Sequence, residues 1–239
     1  MAMSGESEIC DTLQRIGAWF AAATPRATSF ALDRIVSSVP FDAAEEATVA
    51  RAVALRREEF TTGRRLAREA LSRLGAMEVS LPPDCDRVPQ WPEGFVGSIS
   101  HSGGLCAALV GRVDDFVGIG VDIERTTCIH PELKPLICRL DEIDLDKTDA
   151  ASSTLLRFVA KEAFFKAYFP PTRSFLDFLD VNVSIDRGGD CFEARLMNAS
   201  SPSVCGSRTF AGRLAALGNY AVAAVWINQK STVPLRTLA

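Results

Sequence analysis

The chain has 239 residues, of which 47% are hydrophobic and 23% charged, and its formal net charge is −4. Such a length supports one large core or two small joined ones, the composition excludes a wholly disordered chain, and the negative balance argues against a bulk nucleic-acid binder. The opening "MAMSGESEIC" lacks the basic stretch of a signal peptide, and no apolar run reaches the ~18 residues of a spanning helix, so a cytoplasmic protein without a membrane span is expected.

Seven cysteines (Cys10, Cys85, Cys106, Cys128, Cys138, Cys191, Cys205) are scattered with no C-x-x-C pair, which suits reduced thiols better than disulfides or a zinc site. With only two histidines, His101 and His130, a metal here is expected to be a hard cation held by carboxylates.

Apolar positions between Glu45 and Leu74 recur with helical period, Gly63 marks a weak point inside, and Gly75 follows as a C-cap. This stretch carries seven arginines against three glutamates between Arg51 and Arg73, a pattern that is usually a solvated helix face. Residues 81–97, rich in proline, predict an ordered surface loop. "LCAALVG" and "FVGIGVDIE" read as two strands, with "RVDD" between them as a hairpin turn. The stretch from Arg125 to Asp149 has no clear assignment. "ASSTLLRFVAKEAFFKAYFP" predicts a helix capped at Ser152 or Ser153 and ended by Pro170 and Pro171. Four strand-like segments follow, beginning at "LDVNVSID" and ending at "YAVAAVWI". The expectation is α+β, with two similar subdomains, 1–120 and 121–239.

In "FVGIGVDIE" alternation puts Gly118, Gly120, Asp122 and Glu124 on one face and Val117, Ile119, Val121 and Ile123 on the other. The second face is core. The first pairs two positions without side chains with two carboxylates, as if something approaches closely and carries a cation. A strand running out to solvent explains these acids at least as well. On the later helix, Phe158, Glu162 and either Phe165 or Lys166 share a face, while Ala160, Ala163, Phe164 and Ala167 pack. Glu162 and Lys166 form a surface i, i+4 salt bridge on one reading, and an oxygen ligand or base beside a phosphate-reading cation on the other. "GSISHSGG", Gly97 to Gly104, is either a phosphate-binding loop using backbone N–H groups and His101 or a tight turn entering a strand.

Taken together, the stretches "RREEFTTGRRLAREAL", "PQWPEGFVGSISHSGG", "GIGVDIE" and "FVAKEAFFKA", from Arg56 to Ala167, resemble the 4′-phosphopantetheinyl transferases of the surfactin type, and within them the subgroup of enterobactin synthetase component D. The resemblance implies transfer of phosphopantetheine from coenzyme A to a serine of an apo acyl, peptidyl or aryl carrier protein, leaving adenosine 3′,5′-bisphosphate. It implies two similar α+β halves related by a pseudo-twofold, with coenzyme A in the cleft between them. It carries Mg²⁺ onto Asp122, Glu124 and Glu162, and the catalytic roles onto Glu162 and Lys166. Coenzyme A contacts fall on Arg57, Arg64, His101, Ser102, Gly103, Lys161 and Lys166, with Gly104 nearby. Siderophore or other nonribosomal-peptide and polyketide assembly is the implied setting, and a monomer is the simplest expectation. The carrier should be acidic around its serine, so its docking patch should be apolar or basic, and residues 126–157, with Lys134 and Arg139, are where it is expected. The rival readings are a metal-dependent nucleotide phosphohydrolase and a non-catalytic coenzyme A binding module.

Overall fold

A strand, a long helix and a returning set of antiparallel strands occur twice along the chain. The computed structural model describes residues 5–126, 130–143 and 150–229. Helix α1 (Gly5–Ala23) leads into strand β1 (Thr28–Arg34), the short helix α2 (Ala43–Val49), the long helix α3 (Ala54–Arg73), and strands β2 (Phe95–Ser102) and β3 (Leu105–Arg112). Strand β4 (Phe116–Arg125) opens the second set, followed by the short helices α4 (Lys134–Ile137) and α5 (Leu140–Ile143), the long helix α6 (Ala150–Thr172), and strands β5 (Val181–Ile185), β6 (Cys191–Leu196), β7 (Thr209–Leu217) and β8 (Tyr220–Asn228). The sheets run β1-β3-β2 and β4-β8-β7-β6-β5. In each, the strand before the long helix is paired with the last strand of the sheet in chain order, β1 with β3 and β4 with β8. The α+β expectation therefore holds, with like connectivity in halves of unequal size, three strands against five.

Several local expectations need correction. "RVDD" is not a hairpin turn: β3 pairs with β1 and β2, whereas β4 pairs with β8 in the other sheet. "GSISHS" is part of a strand, not a loop, and the turn is confined to Gly103 and Gly104, both at positive φ. Helix α6 begins ahead of Ser152 and keeps Pro170 and Pro171 inside its printed span. Helix α1 and strand β1 were not legible in advance. Gly63 does not break α3; it lets the helix approach β2, where an added Cβ would lie 2.9 Å from Ile99 Cγ2.

The alternation of side chains sorts the core into layers. Cys106, Ala108 and Val110 of β3 pack under α3, while Leu105, Ala107 and Leu109 of the same strand join Ile119, Val121 and Ile123 of β4 and Ile16 and Phe20 of α1 between the sheets. The opposite face of the five-stranded sheet buries Val159, Ala160, Ala163, Phe164 and Ala167 of α6. Burying each large aliphatic side chain contributes about 1.5–3 kcal/mol, which fixes which face of each strand points inward. Among the described residues no helix is long and apolar enough to cross a membrane.

Candidate functional site

Two edge strands, β2 and β4, meet where the sheets adjoin. They share no ladder; serine hydroxyls stitch them instead. Ser98 Oγ accepts from the backbone N–H of Val121 (3.1 Å), Ser100 Oγ from that of Ile123 (3.3 Å) and Ser102 Oγ from that of Arg125 (3.3 Å). The period of two in "GSISHS" thus places three hydroxyls on one side of β2 to satisfy an edge that would otherwise be unpaired. The same hydroxyls donate onward, Ser100 to Asp122 Oδ1 (2.8 Å) and Ser102 to Glu124 Oε2 (2.7 Å).

Helix α6 closes over this seam because β4 carries glycines beneath it. A Cβ on Gly118 would collide with the carbonyl oxygen of Ala167, and one on Gly120 with that of Ala163. The gap at these glycines is filled by helix backbone. That close approach brings Lys166 Nζ to 2.6 Å from Asp122 Oδ1 and 3.0 Å from Ser100 Oγ. Asp122 is buried, and its Oδ2 has no hydrogen-bond partner. A buried carboxylate oxygen left this way is costly unless a further partner joins it. The Glu162 carboxyl is held above the usual glutamate range, first by burial, with Asp122 and Glu124 adding to the rise and Lys166 opposing it. Three acids thus feel one another across the strand and helix, though among the described residues no group of three His, Cys, Asp or Glu side chains stands at metal-holding geometry.

A cleft of about 860 Å³ opens beside the seam, lined by Arg56 and Arg64 of α3, His101 of β2, and Phe165, Lys166 and Phe169 of α6. His101 faces away from the serine side of β2. Its Nε2 accepts from Arg56 (2.9 Å), which places the ring proton on Nδ1, 3.5 Å from Glu59 Oε1. Burial pushes the imidazole below its ordinary pKa, so it is neutral at pH 7. Arg64 is buried, donates to the Leu81 carbonyl and covers the Phe60 ring at 4.5 Å. Burial lowers its pKa to about 10, which leaves it charged.

Four residues expected at the coenzyme, Arg57, Ser102, Gly103 and Lys161, lie outside the lining of this cleft. Arg57 points to α2 and holds Glu46 with both guanidinium nitrogens, at 2.9 and 2.5 Å, outside the cleft. Its neighbour Arg56 lines the cleft instead. The signal was helical register: Arg56 stands two turns before Gly63, the residue at which α3 meets β2. Lys161 is turned into the protein, where its ammonium donates to the Ile137 carbonyl (2.8 Å), Glu142 Oε2 (2.8 Å) and the Phe178 carbonyl (3.0 Å). The other oxygen of Glu142 accepts from the Val183 N–H, so this buried pair ties α5 and α6 to β5. Gly103 sits at φ +58 with its carbonyl accepting from the Tyr220 hydroxyl (2.6 Å), and neither it nor Ser102 lines the cleft. The hydroxyl seam and the wall from Pro83 to Pro89 were missed by the sequence reading.

Comparison with known proteins identifies the family. A model of the 4′-phosphopantetheinyl transferase N-terminal domain matches residues 44–111, and one of the 4′-phosphopantetheinyl transferase superfamily matches residues 118–225. The chain is 36% identical over 189 residues to the 4′-phosphopantetheinyl transferase Svp of Streptomyces mobaraensis, covering 76% of each protein. It is 34% identical over 157 residues to the transferase PptT of Mycobacterium tuberculosis, 64% of this chain and 69% of that one. Enterobactin synthase component D of Salmonella typhi shares 36% identity over 118 residues, 47% and 48% of the two chains. Among solved structures, the holo-[acyl-carrier-protein] synthase of Thermotoga maritima aligns with a TM-score of 0.39 at 22% identity, over 48% of this chain and 64% of that one. The chain belongs to the 4′-phosphopantetheinyl transferase family.

Proposed function

We propose that this transferase works at the seam between its halves, with coenzyme A in the cleft of Arg56, Arg64, His101 and Lys166 and with Asp122, Glu124 and Glu162 as the acid cluster that would hold Mg²⁺. The observation that carries the reading is the orphaned Oδ2 of buried Asp122, in a carboxylate whose other oxygen is already fixed by Ser100 and Lys166. An all-oxygen donor set suits a hard cation. Bound there, Mg²⁺ would supply charge neutralisation for the pyrophosphate of coenzyme A.

The chain's own residues do the rest. Lys166 orients Asp122 and adds positive charge at the cleft wall. The serine hydroxyl of the carrier forms the new bond to phosphorus while the bridging pyrophosphate bond breaks, and adenosine 3′,5′-bisphosphate departs. Glu162 takes the hydroxyl proton; a carboxyl raised by burial is a stronger base than an exposed one. Lys161 serves the fold, through its ion pair with Glu142. The two functional halves divide in the turn between β3 and β4, since β4 runs through residue 120 without interruption.

The docking surface for the carrier falls on α4, α5 and the segment after α6, beside Glu162. Leu136 and Leu140 are 62% and 83% exposed, and Phe175, 76% exposed, lines both the cleft and the hollow containing Glu162. Arg139 is tied to the Leu179 carbonyl, so the patch offers apolar contact more than free positive charge. The expected segment 126–157 thus contributes in part; residues 127–129 and 144–149 lie outside the described residues. Cys128 lies outside them too, and the six other cysteines are free thiols. The family members named for siderophore synthesis favour a nonribosomal-peptide or polyketide carrier, and a monomer contains every residue invoked.

Incubation with coenzyme A, Mg²⁺ and an apo peptidyl carrier, read by intact mass, tests the reading. One phosphopantetheine unit should be added, and Leu136→Asp with Leu140→Asp should raise KM for the carrier while leaving KM for coenzyme A alone. Phosphate release without carrier modification would indicate a phosphohydrolase instead.

A further inference from the structure

Strands β2 and β4 carry one pattern at a fixed offset. The hydroxyls of Ser98, Ser100 and Ser102 accept from the backbone N–H groups of Val121, Ile123 and Arg125, each 23 positions later, so the two strands run parallel in a single register. The residue just ahead of each bonded amide is Gly120, Asp122 or Glu124. Wherever that residue is an acid, the serine donates to it: Ser100 to Asp122 Oδ1 at 2.8 Å and Ser102 to Glu124 Oε2 at 2.7 Å.

The direction of these bonds follows from a count of protons. A serine hydroxyl has one proton and two lone pairs. Ser100 Oγ also meets Lys166 Nζ at 3.0 Å, and both that ammonium and the Ile123 amide can only donate. Both lone pairs are thereby filled, and the one proton goes to Asp122. Ser100 has no hydrogen-bonding capacity left for a ligand, and neither it nor Ser102 lines the cleft. A hydroxyl that draws on donors and gives to a carboxylate is polarised towards its acceptor, which strengthens the bond it donates.

Ser98 is the contrast within the ladder. It is as buried as Ser100, each 4% exposed, and it holds the Val121 amide in the same way, but ahead of that amide stands Gly120 and there is no carboxylate to orient. Pairing an exposed strand edge needs all three hydroxyls alike; it gives no reason for two of them to end on the acids.

We infer that Ser100 and Ser102 are positioning residues for the metal. Supplied by the N-terminal half, they fix one oxygen of Asp122 and one of Glu124, and so set the orientation in which these carboxylates meet the cation. The inference rests on the reading of Asp122, Glu124 and Glu162 as the acid cluster, and it makes the metal affinity of the C-terminal half depend on its docking against the N-terminal half.

Mn²⁺ is a hard divalent cation suited to carboxylate ligands, and the paramagnetic resonance signal of the free ion reads its binding without turnover. Titration of the full-length protein with Mn²⁺, with coenzyme A present, tests the inference. Ser100→Ala and Ser102→Ala should each raise the Kd about tenfold, the effect of removing a partner that orients a metal ligand. Ser98→Ala should lower the melting temperature as Ser100→Ala does, since each leaves a buried amide without its acceptor, yet bind Mn²⁺ within about twofold of the parent. Ser102→Thr keeps a hydroxyl and should bind more tightly than Ser102→Ala. In transfer assays, raising Mg²⁺ should restore rate to the Ser100→Ala and Ser102→Ala variants. Ser102 is partly exposed, so its variants carry the test where Ser100→Ala does not fold. A loss of Mn²⁺ affinity in Ser98→Ala equal to that in Ser100→Ala would overturn the inference by making the seam structural alone, and so would a Kd within about twofold of the parent for both Ser100→Ala and Ser102→Ala. No Mn²⁺ binding by the parent protein would instead remove the metal reading of the acids.

Discussion

The two long helices lie across their sheets in different ways. Helix α3 keeps its charges and neutralises them by pairing outward: Arg57 with Glu46, Arg65 with Asp33, Arg68 with Glu45 and Arg73 with Glu69. Helix α6 is sunk onto Gly118 and Gly120 so deeply that its backbone meets β4 at these positions. Polar groups on α6 are consequently few and committed, Lys161 to a buried carboxylate and Lys166 to Asp122. A helix held by ion pairs can present spare cations to a ligand, whereas a helix held by backbone contact fixes the positions of the groups that do chemistry.

The sharpest way to break this contrast is at Lys161. Lys161→Met leaves Glu142 as a buried unpaired carboxylate, so stability should fall by about 3–5 kcal/mol in denaturant unfolding, with part of the loss recovered by adding Glu142→Gln. Next comes the chemistry. Asp122→Asn should reduce transfer more than about 100-fold, since weakening even an outer partner of a metal ligand costs roughly 10–100-fold, while the melting temperature stays near that of the parent.

Glycine substitutions compare the helices directly. Gly120→Ala drives a methyl into the Ala163 carbonyl and should cost about 3 kcal/mol. Gly63→Ala meets only side chains, Ile99 Cγ2 at 2.9 Å and Cys106 Sγ at 3.5 Å, and gains helix propensity of about 1 kcal/mol, so its net change in unfolding free energy should be within about 1 kcal/mol.

Smaller still is the titration of Glu162. Its folded pKa is raised by burial, so protonation favours the folded state; that contribution is full below the unfolded pKa and fades as pH rises through the folded one. Without metal, Glu162→Gln should therefore be more stable than the parent near neutrality and should lack the parent's loss of stability with rising pH. In the parent, the acid limb of kcat/KM should lie above the ordinary glutamate range, because the base must be ionised. The smallest effect is expected for Arg57→Gln, whose KM for coenzyme A should stay within twofold of the parent; a large rise would place Arg57 back at the ligand.

Much of the site was legible. The period of two in "FVGIGVDIE" separated a core face from a face of glycines and acids, and the period of 3.6 in "FVAKEAFFKA" buried Ala160, Ala163, Phe164 and Ala167 while leaving Glu162 and Lys166 partly open. What alternation does not encode is the identity of the neighbour. Gly118 and Gly120 suggested room for a ligand, and helix backbone occupies it. The serines of "GSISHS" suggested a phosphate loop, and they pair an exposed strand edge instead. Lys161 and Lys166, five residues apart, both suggested phosphate contacts. Their directions differ by the helical rotation, and one ends inside the protein.

By itself the sequence determined the α+β class, the order of the chief elements and the family, because those follow from hydrophobic period and from motifs whose residues are close in the chain. Only the tertiary structure decided that the sheets join through serine hydroxyls, that Arg56 rather than Arg57 faces the cleft, and that Asp84 and Arg173, 89 positions apart, meet across its rim. Those outcomes depend on which edges and faces are brought together by burial of apolar surface, a force that is proportional to area and does not specify a partner in the local pattern of residues.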